Sequence, residues 1–237
     1  MPRSFTYSAL TLRVKASGES NREAWFLTAE EGVLRATVFG GPKSRLRSHV
    51  APFHEGKLWI YHDPVKDSRK VSDFDVYSYR TGIRELYERS MAASAVAETI
   101  LCSGGGGGNW PEAAGLAGSV LDALDAAGKD DCPRIAVYFF WQWAGVLGVR
   151  PDVSADISAE ISADTFADIS GRAGRMAHNE EYPFRLSQGT RQWLTEIQSA
   201  ETVSLQVEDE CLEQAKAFTK AILAGALGKR LPTWDEI

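Results

Sequence analysis

Apolar and polar residues alternate along the first 80 positions, and beyond them the apolar spacing lengthens towards four. Tyr7, Leu10, Leu12 and Val14 mark a first strand, followed by a polar turn over 16–21. Trp25, Phe26 and Leu27 belong to a second strand, ended by Glu30, Glu31 and Gly32. The alternation over 33–39 predicts a third, 58–61 a fourth, and Val71, Phe74, Val76 and Tyr79 a fifth. Five short strands separated by Gly, Pro and Asx turns predict a small β-barrel or sandwich, and the OB-fold is the five-strand candidate.

After Thr81 and Gly82 the pattern becomes helical. Ile83, Leu86, Tyr87, Ser90, Met91, Ala95 and Ile100 share one helix face, and a glycine run over 104–108 then breaks the chain. Pro111 starts a second helix. Pro133 starts a third that is apolar nearly all round, from Ile135 to Leu147, and so belongs at the centre of a bundle. Ser187 is placed as an N-cap, with Trp193, Leu194 and Ile197 facing inward, and a last helix covers 208–227. Between 149 and 182 the pattern weakens. Asp152, Asp156, Glu160, Asp164 and Asp168 recur every four residues, which on a helix would stack like charges. An irregular or partly helical excursion is expected there. The fold class is therefore α+β: an N-terminal five-stranded OB-fold barrel over 1–80, then a helical domain over 81–237 with an irregular insertion near 150–182.

Charge divides the chain at the same place. Residues 1–80 carry 13 Lys+Arg against 9 Asp+Glu, and residues 81–237 carry 13 against 23, which makes a basic module joined to an acidic one. Cys102, Cys132 and Cys211 are far apart and form no C-x-x-C pair, so neither a disulfide framework nor a zinc cluster is indicated. A reducing cytoplasm fits them. The N-terminus lacks the apolar core of a signal peptide, and the apolar run 135–143 is too short to span a bilayer.

The candidate chemistry lies in Gly40, Gly41, Pro42, Lys43, Ser44, Arg45, Leu46 and Arg47, a flexible basic loop entered from the third strand. A local concentration of cations in a chain of net charge −6 points to an anionic partner, and phosphate is the commonest one. Arg35 on the strand before it and Arg22 in the preceding turn add to the loop. Trp59 and Tyr61 share a face of the fourth strand, where they either stack bases or fill the core. A solubilising turn is the competing reading. The glycine run lacks the Lys and Ser/Thr of a phosphate loop, since Asn109 and Trp110 follow it, and reads as a flexible connector. His49, His54 and His62 lack the helical spacing of a zinc hydrolase and read as surface histidines, or as phosphate donors when protonated. No catalytic constellation stands out, so no enzyme is indicated.

Several segments resemble the RecO family of bacterial recombination mediators, in order and spacing. They are 18–22, 27–32, 40–47 with Pro52 and Phe53, 147–152, 186–189 and 227–231. The resemblance covers the whole chain. It implies an N-terminal OB-fold, a helical domain behind it, and binding of single- and double-stranded DNA. It also implies strand annealing, help in loading RecA onto DNA coated by single-strand-binding protein (SSB), and no catalysis or cofactor. Partners would be RecR and the SSB C-terminal tail, in a cytoplasmic, nucleoid-associated setting. The DNA-contacting set it implies is Arg22, Arg35, Lys43, Arg45 and Arg47. Many members carry two C-x-x-C pairs in the segment matching 152–182. This chain has no cysteine between Cys132 and Cys211, so no structural zinc is expected. A protein-interaction adaptor of the same fold, with little DNA affinity, is the alternative.

Overall fold

The computed structural model describes residues 3–41, 44–153, 186–200 and 206–237. Lys43 and nearly all of the acidic four-residue series lie outside them. Strands β1 (Ser4–Ser17), β2 (Asn21–Thr28), β3 (Gly32–Val38), β4 (Glu55–Asp63) and β5 (Ser68–Ser78) form a barrel closed in the order β1-β2-β3-β5-β4. Closure depends on β1. Residues 4–10 of β1 pair with β4 and residues 9–17 with β2, and its register against β2 shifts between Thr11 and Arg13. A bulge of this kind bends a strand and lets one chain segment serve both edges of the sheet. The β3–β5 seam is the parallel one, in register at Thr37 and Lys70.

The period of two decides what enters the barrel. Tyr7, Ala9, Ala24, Phe26, Leu34, Ala36, Val38, Leu58, Ile60, Val71 and Phe74 are buried as one core. Phe26 and Phe74 meet edge to face at 5.9 Å in its middle. Helix α1 (Arg45–His49) joins β3 to β4, with Leu46 packed against this core and Val50 at its C-cap fully buried. This corrects the expectation of a flexible basic loop at Arg45, Leu46 and Arg47, which are helical; Pro42 and Lys43 lie outside the described residues. Leu46 and Val50, four residues apart, anchor one helical turn and leave Arg45 and Arg47 on its outer side.

Among the described residues five longer helices follow: α2 (Tyr87–Cys102), α3 (Trp110–Ala126), α4 (Cys132–Val146), α5 (Gln188–Ser199) and α6 (Asp209–Leu227). Helix α4 is the centre, as its all-round apolarity predicts, and packs on α2, α3 and α6. Ser187 caps α5, its Oγ accepting from Thr190 N–H at 3.1 Å. Trp234, in a C-terminal 3-10 turn, is fully buried, with its Nε1–H donating to Thr99 Oγ1 at 3.0 Å. The expected face of the first helix is corrected. Ile83 sits in a separate 3-10 turn (Thr81–Arg84) and Tyr87 is exposed, whereas Ala95 and Ile100 are buried as expected, joined by Ala92, Ala93, Val96, Ala97 and Thr99. Small side chains let the neighbouring elements approach α2 closely, so burial follows size more than periodicity.

Barrel and helices share a core. Leu10, Leu12, Leu27 and Phe53 of the first 80 residues belong to the helical cluster. The glycine run takes part, which corrects its reading as a flexible connector. All five glycines have positive φ, from 65° to 119°, and Gly105 and Gly106 are buried. A Cβ on Gly105 would stand 3.0 Å from Val33 Cγ2 of β3. Arg80 closes the junction. It adopts a left-handed backbone (φ 44°, ψ 53°), and its guanidinium meets Glu55 at 2.5 Å and Asp122 at 2.6 Å. It also donates to the carbonyls of Phe53 (3.0 Å) and Gly118 (3.3 Å). Burial opposes its charge, but the hydrogen bonds to Asp122 and Glu55 outweigh that and raise its pKa.

His54 is buried at the same junction, which corrects its reading as a surface residue. Arg84 Nη2 donates to its Nε2 at 3.3 Å, so Nδ1 carries the proton and donates to the His49 carbonyl at 2.8 Å. Burial, chiefly, pushes its pKa below 6.5, and the nearby Arg84, His49 and Arg80 charges add to this against the His49 hydrogen bond. The folded protein therefore binds fewer protons here than the unfolded chain. His54 contributes stability above the unfolded pKa, near 6.5, and loses it as pH falls below that value. Thermal unfolding at pH 7 and pH 5 should show a smaller drop in Tm for His54→Gln than for the unaltered protein. An equal drop would place the pH dependence elsewhere.

Candidate nucleic-acid interface

The outer wall of the barrel is ordered by register. Arg13 on β1 stands opposite Trp25 on β2, and Trp25 opposite Arg35 on β3. One pair further along, Lys15 stands opposite Glu23, Glu23 opposite Thr37, and Thr37 beside Lys70 of β5. Lys70 in turn lies opposite Tyr61 on β4. The Arg13 guanidinium lies 5.7 Å from the Trp25 ring centre, and Lys70 Nζ 5.4 Å from that of Phe39, just past β3. The Arg35 side chain is 64 % exposed, held only loosely by Glu23 at 3.8 Å. An exposed pair at that distance contributes little and leaves the cation available.

The other side of the wall differs. Trp59 lies between Thr6 and Asp73, and Lys57 between Ser8 and Asp75. Lys57 Nζ is 5.3 Å from the Trp59 ring centre. The inward positions of β4 are Leu58 and Ile60, so Trp59 and Tyr61 both face outward. Tyr61 stands beside Lys70 and accepts from Arg3 at 3.4 Å, whereas Trp59 stands beside a carboxylate.

A third group lies by α1. Arg22 pairs in register with Val38 and donates from Nη1 to the Arg47 carbonyl at 3.3 Å. Burial first, and the Arg47 charge second, lower the Arg22 pKa. Among the described residues no carboxylate forms an ion pair with Arg22, Arg45 or Arg47. Arg45 Nε donates to His49 Nε2 at 3.4 Å. The structure thus brings Arg22 and Arg47 together, sets Arg45 against His49 on the same short helix, puts Arg35 on the β1–β2–β3 wall, and sets Tyr61 and Trp59 further round the barrel.

Arg13, Lys15, Trp25, Phe39 and Lys70 are the members that the sequence reasoning missed. Arg13 and Lys15 alternate with Leu12 and Val14, so the signal was present as the polar half of a strand. Trp25 was obscured by Phe26 and Leu27, which follow it and are fully buried. The three histidines form no cluster: His49 bonds the Phe74 carbonyl, His54 the His49 carbonyl, and His62 the Asp67 carboxylate.

A five-stranded barrel closed in this order, with a helical body sharing its core, defines an OB-fold protein with an appended helical region. Residues 1–79 match the family model Recombination protein O N terminal, and residues 84–235 match Recombination protein O C terminal. The chain belongs to the Recombination protein O (RecO) family, and its role is that of a mediator in DNA recombination and repair. No curated protein matches it. DNA and the recombination machinery are the partners of this family in general, and its members are recombination mediators, generally not enzymes. Among the described residues no helix is long and apolar enough to cross a membrane.

Proposed function

We propose that the barrel, over about residues 1–80, binds single- and double-stranded DNA through Arg22, Arg35, Arg45 and Arg47, joined on sequence grounds by Lys43. In this reading the protein neutralises two complementary strands, holds them close and lets base pairing drive annealing. It also helps load RecA onto SSB-coated DNA, with the helical region docking RecR and the SSB tail. Annealing of this kind needs no bond chemistry, only cations that displace counterions from phosphate.

The observation that carries the reading is the Arg22–Arg47 juxtaposition. The Arg22 guanidinium donates to the Arg47 backbone carbonyl, burial first and the Arg47 charge second lower the Arg22 pKa, and no carboxylate among the described residues pairs with either. Like charges held together in this way are relieved by a bound anion.

The test is fluorescence anisotropy with a labelled oligonucleotide over a salt series. Replacing Lys43, Arg45 and Arg47 by Ala should cut affinity at low salt by at least tenfold. It should also flatten the slope of log K against log salt by about 0.7 per lost phosphate contact on single strands and about 0.9 on duplex. An unchanged slope would move the phosphate contacts elsewhere. No binding by the unaltered protein would favour the adaptor reading, in which the acidic helical region docks proteins.

A further inference from the structure

We propose that Trp25 and Phe39 are the positions on which unpaired bases stack, and that they make the β1–β2–β3 wall selective for single strands over duplex. The inference rests on the DNA-binding reading and adds to it what part of the ligand the wall recognises. Trp25 is held between two arginines by strand register, Arg13 on one side and Arg35 on the other. Phe39 is 45 % exposed, an apolar ring that the fold leaves in solvent with Lys70 over it. Each aromatic thus carries its own cation. That combination suits a nucleotide, whose base offers a π-face and whose phosphate offers a negative charge.

Arg35, Thr37 and Phe39 follow the same outward alternation, so the two rings sit about 13 Å apart along β3, from the rise of a strand. A strand laid along β3 would meet cations and rings in turn: Arg13 and Trp25, Arg35, then Lys70 and Phe39. Glu23 lies on this wall as well and is opposed by Lys15, its register partner, and by Arg35. Trp59 makes a poorer station, because Asp73 beside it would repel the phosphate that a stacked base brings.

Bases in a duplex are already stacked on one another and present no free face to a side chain. Loss of the rings should therefore weaken single-strand binding alone, whereas loss of the arginines should weaken both. The experiment compares a labelled oligothymidylate with a duplex of equal length, by anisotropy at fixed moderate salt. Trp25→Ala and Phe39→Ala should each lower single-strand affinity about 5-fold to 100-fold, with duplex affinity within about twofold and the salt slope unchanged. Trp25→Phe, which keeps a ring, should recover most of the loss and guards against a folding defect in Trp25→Ala. Equal losses on both ligands, or none on either, would overturn the proposal while leaving DNA binding in place. An unaltered protein that binds neither ligand would overturn the DNA-binding reading along with it.

Discussion

Arg80→Ala is expected to lower stability by about 3 kcal/mol, the low end for removing one partner from a buried ion pair, and Tm by roughly 10 °C for a chain of this size. Its side chain is 2 % exposed, and it is the donor to four groups: Glu55, Asp122 and the carbonyls of Phe53 and Gly118. Removal leaves the Glu55 carboxylate, 22 % exposed, with the Tyr77 hydroxyl at 2.9 Å as its remaining donor. It also leaves the two carbonyls facing a void. Asp122 is 62 % exposed and recovers solvation, which keeps the loss at the low end. Arg80→Met with Glu55→Gln should recover part of it, since both members of the pair are then neutral. Because Arg80 joins β4 to α3, calorimetry should show the barrel and helices separating into two transitions. A single transition with unchanged Tm would remove Arg80 from its role as the joint.

Gly106→Ala is expected to cost nearly as much, about 3 kcal/mol, from left-handed backbone strain together with overpacking. Gly106 has φ +91°, and a Cβ there would stand 2.8 Å from Val146 Cγ1, 3.2 Å from Ala113 Cβ and 3.3 Å from Trp143 Cη2. These atoms belong to α3 and α4, so none is a loose side-chain end. Gly107 supplies the contrast. Its φ is +67° and no atom lies within 4 Å of its Cβ position, so Gly107→Ala should lose about 1 kcal/mol from backbone strain alone. Denaturant unfolding of the two variants separates a built turn from a passive connector. Equal small losses would return the run to the second class.

Much of the fold was legible because it depends on local periodicity. The five strands, the central helix α4 and the Ser187 cap each rest on residues near one another in sequence. The face of α2 was misread, since alanines carry little hydrophobic signal yet pack where larger side chains would not fit. The glycine run was misread for a similar reason. A sequence of glycines says that φ is free, and only the neighbours Val33, Val146 and Trp143 say that the freedom is used for close approach. The candidate site was legible in its residue types and illegible in its grouping. Arg22 meets Arg47 because Leu46 and Val50 anchor α1 to the barrel. Trp25 joins Arg13 and Arg35 because the shift in β1 sets which residues of β1 and β2 face each other.

By itself the sequence determined the strand and helix content, the division near residue 80, the basic character of the first part and the family resemblance. These follow from composition and from periods of two and four, which neighbouring residues impose on one another. The tertiary structure decided which cations share a surface, that Trp59 and Tyr61 face outward in different company, and that the barrel and helices share one core through Leu10, Leu12, Leu27 and Phe53, with Arg80 bonded across the junction. Those outcomes depend on cross-strand register and on side chains tens of residues apart, and a strand shifted by one residue would reverse every face while leaving its sequence pattern unchanged.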